Sequence, residues 1–464
     1  MYRVEIRCGG ETAVIYPEAG EILSDVILKN GYETEHPCGG RGTCGKCRVR
    51  VNGEEVLSCT YRIKSDITVD LPEVKKIRAL SGGRTGKEEG TGSFLALDTG
   101  TTTLALALAD EKGNIIRTAG GNNPQRKFGA DVISRIAYCT ENGISALKDC
   151  LISKINGMIR EISPAEELPM FVSGNMTMLH TFFGIDCSSM GVSPYRPAFL
   201  DSRREEGAAL GLEGVSVVTS LPGMNAFAGA DITAGIAFAG EPEEGKYSLL
   251  VDLGTNSEIA LFSSSNVFCT SASAGPCFEG ANISCGMSAV NGALSRINSD
   301  GTYSVIGGTE AEGICATGLI DAVKYMLDRG VIDKTGYMKT GTFALTGDIS
   351  LTREDIRNYQ LAKSAIRTGI EILMKDSGVG FGDIDRFFVA GGFSGELSID
   401  NAVATGLFPP ELRDRFISLD NSSLLGTAGY ACGRLRLPDT KKARYTDLAL
   451  NDGFTDKFIT NMNF

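Results

Sequence analysis

Apolar and polar residues alternate through the first stretch of the chain. Residues 2–8 predict a strand, Gly9-Gly10 a hairpin turn, and residues 12–16 the partner strand. From residue 21 to 30 the period lengthens. Ile22, Val26 and Ile27 fall on one helical face, and Gly31 follows as a C-cap. Residues 37–47 form a loop rich in Gly and Cys, and 48–51 and 67–71 read as further strands. Residues 73–92 are charged, Gly-rich and poor in apolar positions, which is the composition of a linker.

The texture changes at Ser93. Residues 94–98 are a buried strand running into Thr99-Gly100-Thr101-Thr102-Thr103, with a second strand at 104–109. A similar unit returns after Ser248. A strand ending in Asp252 enters Leu253-Gly254-Thr255-Asn256-Ser257-Glu258, and another strand follows at 259–262. Asp98 and Asp252 stand 154 residues apart, which predicts an internal repeat with one copy per lobe. Helical spacing appears at 130–137, 147–159, 314–327 and 353–375. Strands alternating with helices predict α/β lobes with mixed sheets. The expected organisation is a small domain at 1–72, a linker at 73–92, and a two-lobed unit at 93–464 dividing near residue 245.

Length agrees, because 464 residues exceed one ordinary core. A net charge of −12 argues against a nucleic-acid partner, which needs a basic face. The first residues lack the apolar core of a secretory signal, and no apolar run approaches a membrane span. The expectation is a cytoplasmic protein with no membrane association. There the 13 cysteines are not expected to pair as disulfides.

Four cysteines crowd together: Cys38, Cys44, Cys47 and Cys59, spaced C-x5-C-x2-C-x11-C and interleaved with Gly39, Gly40, Gly42 and Gly45. A binuclear iron–sulfur cluster needs four thiolates on a tightly wrapped loop, with backbone N–H groups aimed at the sulfurs. Glycines permit such wrapping. The alternatives are a zinc site, which favours two short cysteine pairs where this chain has one, and unrelated buried thiols. The other nine cysteines show no close metal spacing. Two histidines, His36 and His180, are too few for a histidine-based site. The hairpin, helix and strand around the loop fit a β-grasp ferredoxin, and Leu57-Ser58-Cys59 resembles the fourth-ligand segment of that family.

The paired Asp-x-Gly-Thr turns suit a nucleotide. Backbone N–H groups and hydroxyls at Thr99, Gly100, Thr101 and Thr102, and at Gly254, Thr255 and Asn256, can meet phosphate oxygens. Asp98 and Asp252 can hold Mg²⁺ directly or through its waters. An ordinary β-turn is the alternative for either motif alone. A hydrophobic strand entering Gly391-Gly392-Phe393 resembles the adenosine motif of the actin, sugar-kinase and heat-shock-chaperone ATPases, and the order of the three motifs is that family's order. No P-loop is present. Gly313 and Gly318 flank a stretch that could open a helix toward an anion. Asp231, Glu258 and Glu279 are candidates for orienting an attacking water, a solvated or capping carboxylate being the alternative for each.

Taken together, the halves resemble the reductive activators of corrinoid proteins: a ferredoxin domain followed by an actin-like (duplicated RNase H-like) ATPase domain. The blocks that carry the resemblance are Asn123-Pro124-Gln125-Arg126-Lys127-Phe128-Gly129-Ala130-Asp131-Val132-Ile133-Ser134-Arg135-Ile136, Gly174-Asn175-Met176-Thr177-Met178-Leu179-His180, Gly275-Pro276-Cys277-Phe278-Glu279-Gly280-Ala281 and Leu361-Ala362-Lys363-Ser364-Ala365-Ile366. The resemblance implies a 2Fe-2S cluster, ATP and Mg²⁺, a corrinoid protein as partner and a low-potential electron donor. It leaves monomer and homodimer both open. Longer members carry an extra middle domain, expected to be missing here. Two other readings share these features: an activator of a different metalloenzyme, and a nucleotide-dependent redox sensor or scaffold.

Overall fold

The computed structural model describes residues 1–30, 32, 42, 47–71, 93–392 and 394–464. The expected linker, His36, Cys38, Cys44 and Phe393 lie outside the described residues.

The N-terminal sheet is built from β1 (Val4–Cys8), β2 (Glu11–Ile15), β3 (Arg48–Val51), β4 (Glu54–Leu57) and β5 (Ile67–Asp70), in the order β2-β1-β5-β3-β4. The central pair β1 and β5 is parallel, and the other pairings are antiparallel. Alternation places Val4, Ile6, Val49, Val51, Ile67 and Val69 on one face. There they meet Leu23, Val26 and Ile27 of helix α1 (Leu23–Lys29). This is the expected β-grasp. Strand β4 was not foreseen, although Asn52-Gly53 is a hairpin signal, and both residues take positive φ.

The first lobe contains β6 (Phe94–Thr99), β7 (Thr103–Ala109), β8 (Ile115–Asn122), β9 (Leu168–Gly174), β10 (Arg204–Glu206) and β11 (Val215–Ser220). Its helices are α2 (Val132–Asn142), α3 (Ser145–Ile162), α4 (Met176–Phe183), α5 (Gly207–Leu210) and α6 (Ala230–Ala239). The second lobe contains β12 (Tyr247–Asp252), β13 (Ser257–Phe262), β14 (Val267–Ala272), β15 (Ala293–Ile297), β16 (Tyr303–Val305), β17 (Gly313–Ile314), β18 (Thr342–Thr346), β19 (Ile349–Thr352), β20 (Ile384–Ala390), β21 (Phe416–Ser418) and β22 (Arg444–Tyr445). Its helices are α7 (Ala316–Asp328), α8 (Arg353–Ser377), α9 (Ile399–Ala404), α10 (Ser422–Ala431) and α11 (Phe454–Thr460).

The two large sheets run β10-β11-β9-β6-β7-β8 and β21-β20-β12-β13-β14-β22. Each has an antiparallel meander of three strands, then two strands added parallel to the first. The repeat read from Asp98 and Asp252 is thus a repeat of whole sheets. The helix expected at 130–137 begins later, at Val132, because Asp131 caps it by accepting from the Ser134 amide.

Strand β7 shows how one sequence serves two packing surfaces. Leu104, Leu106 and Leu108 face the core formed with α3 and α4, while Ala105, Ala107 and Ala109 face the opposite way. The alanine face is covered by Leu424 and Ala428 of α10, a helix supplied by the second lobe. Reciprocally, Ile232 and Ile236 of α6 in the first lobe pack against Leu250, Ala260 and Phe388 of the second sheet. The two exchanged helices touch at small residues. A Cβ at Gly426 would stand 2.1 Å from the Ala234 carbonyl oxygen.

This contact generates a stability prediction. Gly426→Ala improves helix propensity by about 1 kcal/mol. It also forces backbone apart, and overpacking of this kind costs about 1–3 kcal/mol. Net destabilisation is expected in a chemical denaturation curve. An unchanged or raised midpoint would mean that the two helices are not held this closely.

Candidate nucleotide cleft and cysteine centre

In the cysteine centre, Cys47 and Cys59 are buried, and their Sγ atoms lie 3.1 Å apart, well beyond the roughly 2.05 Å of a disulfide. The Ser58 amide donates to the Cys47 carbonyl and fixes the two segments against each other. Gly42, between Cys38 and Cys44 in sequence, takes φ +73°, and a Cβ there would stand 2.7 Å from Thr60 Cγ2. Gly42 therefore lies against the Cys59 segment. Two converging free thiols, Cys47 and Cys59, fit half of the donor set of an iron–sulfur cluster.

At the cleft, the strand register puts Asp98 near the end of β6 and Asp252 at the end of β12, each in the first strand of its lobe. Asp98 accepts hydrogen bonds from Ser423 Oγ (2.8 Å) and Asn421 Nδ2 (3.1 Å), at the start of the exchanged helix α10. A carboxylate at a helix N-terminus is favoured by the unpaired amides there. Asp231 holds the matching position near the start of α6. Asp252 lies directly across from Glu258 in the β12–β13 ladder, an arrangement of like charges that destabilises a sheet unless a cation or proton intervenes.

These side chains keep some accessible surface on the cleft wall, yet the surrounding protein strips most of their water. Burial raises the Asp98 carboxyl above its ordinary range, against the hydrogen bonds from Ser423 and Asn421. Burial, helped by Asp98, pushes Asp231 up to about 7. Burial with repulsion from Asp231, Asp98 and Glu279 pushes Asp252 up to about 7 as well. Glu258 is raised well above its usual value by burial and then by Asp231 and Asp252. Among the described residues no three His, Cys, Asp or Glu side chains converge as ligands of a single ion.

Glu279 joins the two turns. It accepts from Thr102 Oγ1 at 2.5 Å in the first and from the Thr255 amide at 3.0 Å in the second. The expected phosphate donors therefore face each other across the cleft. The hydroxyl of Thr99 is directed elsewhere, donating to the Ser173 carbonyl at 2.7 Å, which corrects its expected role toward phosphate. Thr101 Oγ1 accepts from Asn175 Nδ2, and the Gly100 carbonyl from Asn123 Nδ2. Sequence reasoning missed these supports, along with Asn421 and Ser423, although Asn123 and Asn175 sit in the distinctive blocks quoted above.

The glycines divide. Gly391 ends β20 with φ +115°, and a Cβ there would meet the Leu253 carbonyl oxygen at 2.5 Å. Gly174 repeats this geometry in the first lobe against Thr99. Gly392 is exposed with open space about it, beside the second turn. The stretch flanked by Gly313 and Gly318 opens a helix, as expected: it is α7. Gly313 belongs to strand β17, the helix starts only at Ala316, and a Cβ at Gly318 would lie 2.1 Å from the Leu294 carbonyl oxygen. Both glycines serve packing within the second lobe. His180 is likewise structural, with Nδ1 on the Met176 carbonyl, Nε2 accepting from the Ala198 amide, and the ring stacked on Phe199.

A ferredoxin-type domain ahead of two duplicated lobes defines the class: an iron–sulfur protein on the actin and sugar-kinase fold. Family models for the 2Fe-2S iron–sulfur cluster binding domain, the RACo middle region, and the C-terminal ASKHA domain of RACo match residues 6–74, 94–241 and 246–464. The chain belongs to the RACo family of reductive activators. The corrinoid activation enzyme RamQ of Eubacterium limosum is 27% identical, the match covering 84% of this chain and 86% of that protein. The Co(II) methylated amine-specific corrinoid protein reductase of Methanosarcina barkeri is also 27% identical, over 47% of this chain and 46% of its own. A solved reductive activator for a corrinoid, iron–sulfur protein aligns with a TM-score of 0.72 at 24% identity, covering 100% of this chain and 98% of that one, which shows the fold. The family's middle region is the first lobe here, which corrects the expectation that a middle part is missing.

The raised carboxyls predict a pH effect. A carboxyl whose folded pKa exceeds its unfolded value stabilises the fold at low pH, and that stability is lost as pH rises through the folded pKa. For Asp231 and Asp252 the loss falls between about pH 4 and about 7 and is complete above it. The melting temperature of the nucleotide-free protein should fall between about pH 4 and about pH 7. Asp252→Asn should flatten that fall, and so should added Mg²⁺ with ATP. A pH-independent melting temperature would show that the carboxylates do not strain one another.

Proposed function

We propose that this protein is an ATP-dependent reductive activator of a corrinoid protein, delivering one electron to Co(II) to regenerate Co(I). The observation that carries the reading is the bridged pair of Asp-x-Gly-Thr turns standing behind a domain that buries two converging reduced thiols. The names of the relatives support the choice of partner.

Cys38, Cys44, Cys47 and Cys59 would hold a 2Fe-2S cluster, which supplies one-electron transfer at low potential. Thr102, the Thr255 amide, Gly254 and Asn256 would grip the phosphates of ATP, with Gly391, Gly392 and Phe393 beside the nucleoside. Asp98 and Asp252 would orient Mg²⁺ and its waters. Glu258 and Asp231 remain the carboxylates best placed to direct an attacking water. No helix among the described residues is long and apolar enough to cross a membrane. With so many reduced thiols, we read the setting as the reducing cytoplasm.

One small pocket lined by Val132, Asn175, Thr177, Asn256 and Glu258 has a volume of about 10 Å³, room for roughly one water. Closure of the lobes onto ATP would differ energetically from closure without it. Only such a difference in binding between two conformations can drive an uphill electron transfer on the partner.

The test uses the anaerobically reconstituted protein, a Co(II) corrinoid protein, a low-potential reductant and Mg-ATP, with the cobalt absorption spectrum as readout. Co(I) should appear with ATP and fail to appear without it or with Cys59→Ser. Asp252→Asn should slow ATP turnover by on the order of 100-fold while leaving the cluster spectrum intact. Cobalt reduction that proceeds equally without nucleotide would overturn the proposal.

A further inference from the structure

Arg135 is the bulkiest fully buried side chain in the described structure. It lies on α2, and every acceptor it reaches is uncharged. Nε donates to the Gly129 carbonyl at 3.0 Å, and Nη1 lies 3.4 Å from Gln125 Oε1 and 3.1 Å from Met178 Sδ. Nη2 donates to the Thr101 carbonyl at 2.6 Å. Asp131, one turn away, has its carboxylate engaged in capping α2. No carboxylate hydrogen-bonds the guanidinium, and Asp131 and Glu279 act on it only through space; such burial is costly, because hydrogen bonds to carbonyls only partly replace lost hydration. Burial, then repulsion from Arg126, lowers its pKa to about 9, which still leaves it charged at neutral pH.

The place of that charge is informative. Thr101 is the middle residue of the first turn, between Gly100 and the Thr102 hydroxyl that faces the cleft. The cleft side chains that act on one another there are the carboxylates of Asp98, Asp231, Asp252, Glu258 and Glu279. A triphosphate brought among them needs positive charge beyond that of its own Mg²⁺. We infer that Arg135 is a positioning residue for the phosphates: its buried charge, held under the first turn through the Thr101 carbonyl, sets the preference for nucleoside triphosphate over nucleotides with fewer phosphates. This deepens the nucleotide reading above and rests on it. An ordinary brace would need only hydrogen bonds, which an uncharged side chain could supply in part. A counter-charge acts through its field, which weakens slowly with distance inside protein.

Calorimetric titration of the full-length, cluster-loaded protein with Mg-ATP, ADP and AMP separates these roles. The unaltered protein should rank ATP above ADP above AMP. Arg135→Gln should weaken ATP by on the order of tenfold or more while changing AMP by less than about twofold. Arg135→Lys, which keeps the charge and loses the fork, should retain most of the ATP-over-AMP preference. If Arg135→Gln does not fold, Arg135→Lys decides alone, and loss of its preference would overturn the inference. Equal weakening of ATP and AMP by Arg135→Gln, or no weakening of either, would also overturn it. Failure of the unaltered protein to bind ATP would instead remove the nucleotide reading, and this inference with it.

Discussion

Neither lobe completes its own core. The first sheet presents an alanine face that α10 of the second lobe covers, and the second sheet presents Leu250, Ala260 and Phe388, which α6 of the first lobe covers. The exchange requires the two helices to pass within backbone contact, and glycine at 426 allows it. Packing this tight behaves as a pivot with few alternatives rather than a soft joint. It also delivers function directly. The N-terminus of each exchanged helix lands in the cleft, with Asp231 near the start of α6 and Asn421 and Ser423 at the start of α10 holding Asp98. A change in how the lobes close must move these groups.

Electrostatics then set what the cleft can accept. Four carboxyls are raised by burial, three of them, Asp231, Asp252 and Glu258, also by repulsion from neighbouring carboxylates, and Asp252 with Glu258 forms a cross-strand pair of like charge. Such a cleft favours a cation and tolerates an anion only with one. Glu279, reaching donors from both turns, places an anionic group between them within the chain itself. Triphosphate with Mg²⁺ satisfies both demands, since it brings cations to the carboxylates and phosphate oxygens to the donors.

The motifs that lie on strands were legible because Asp-x-Gly-Thr occurs twice, each time after a buried strand, and the pairing gives each copy a meaning that neither has alone. The repeat could be seen from Asp98 and Asp252, and the β-grasp from the alternation at Val4 and Ile6 together with the helical face of Val26 and Ile27. Thr99 was misjudged because its exposure depends on β9 lying alongside, a long-range pairing invisible in local pattern. The helix opened between Gly313 and Gly318 was legible, but the packing of Gly318 against β15 is a long-range contact that local pattern does not carry. Asn421 and Ser423 are some 325 residues from the aspartate they hold, so no spacing rule could join them to it. The block containing Arg135 was recognisable by resemblance, yet its physical task became readable only when the Thr101 carbonyl was found against its guanidinium.

The central claim is that both turns close on one nucleotide together. Hydrogen–deuterium exchange of the cluster-loaded protein, with and without Mg-ATP, tests it at residues 98–103 and 252–257. The account predicts that amides in both segments slow together when ATP is added. Slowing in only one segment, or in neither while ATP is demonstrably bound, would contradict it.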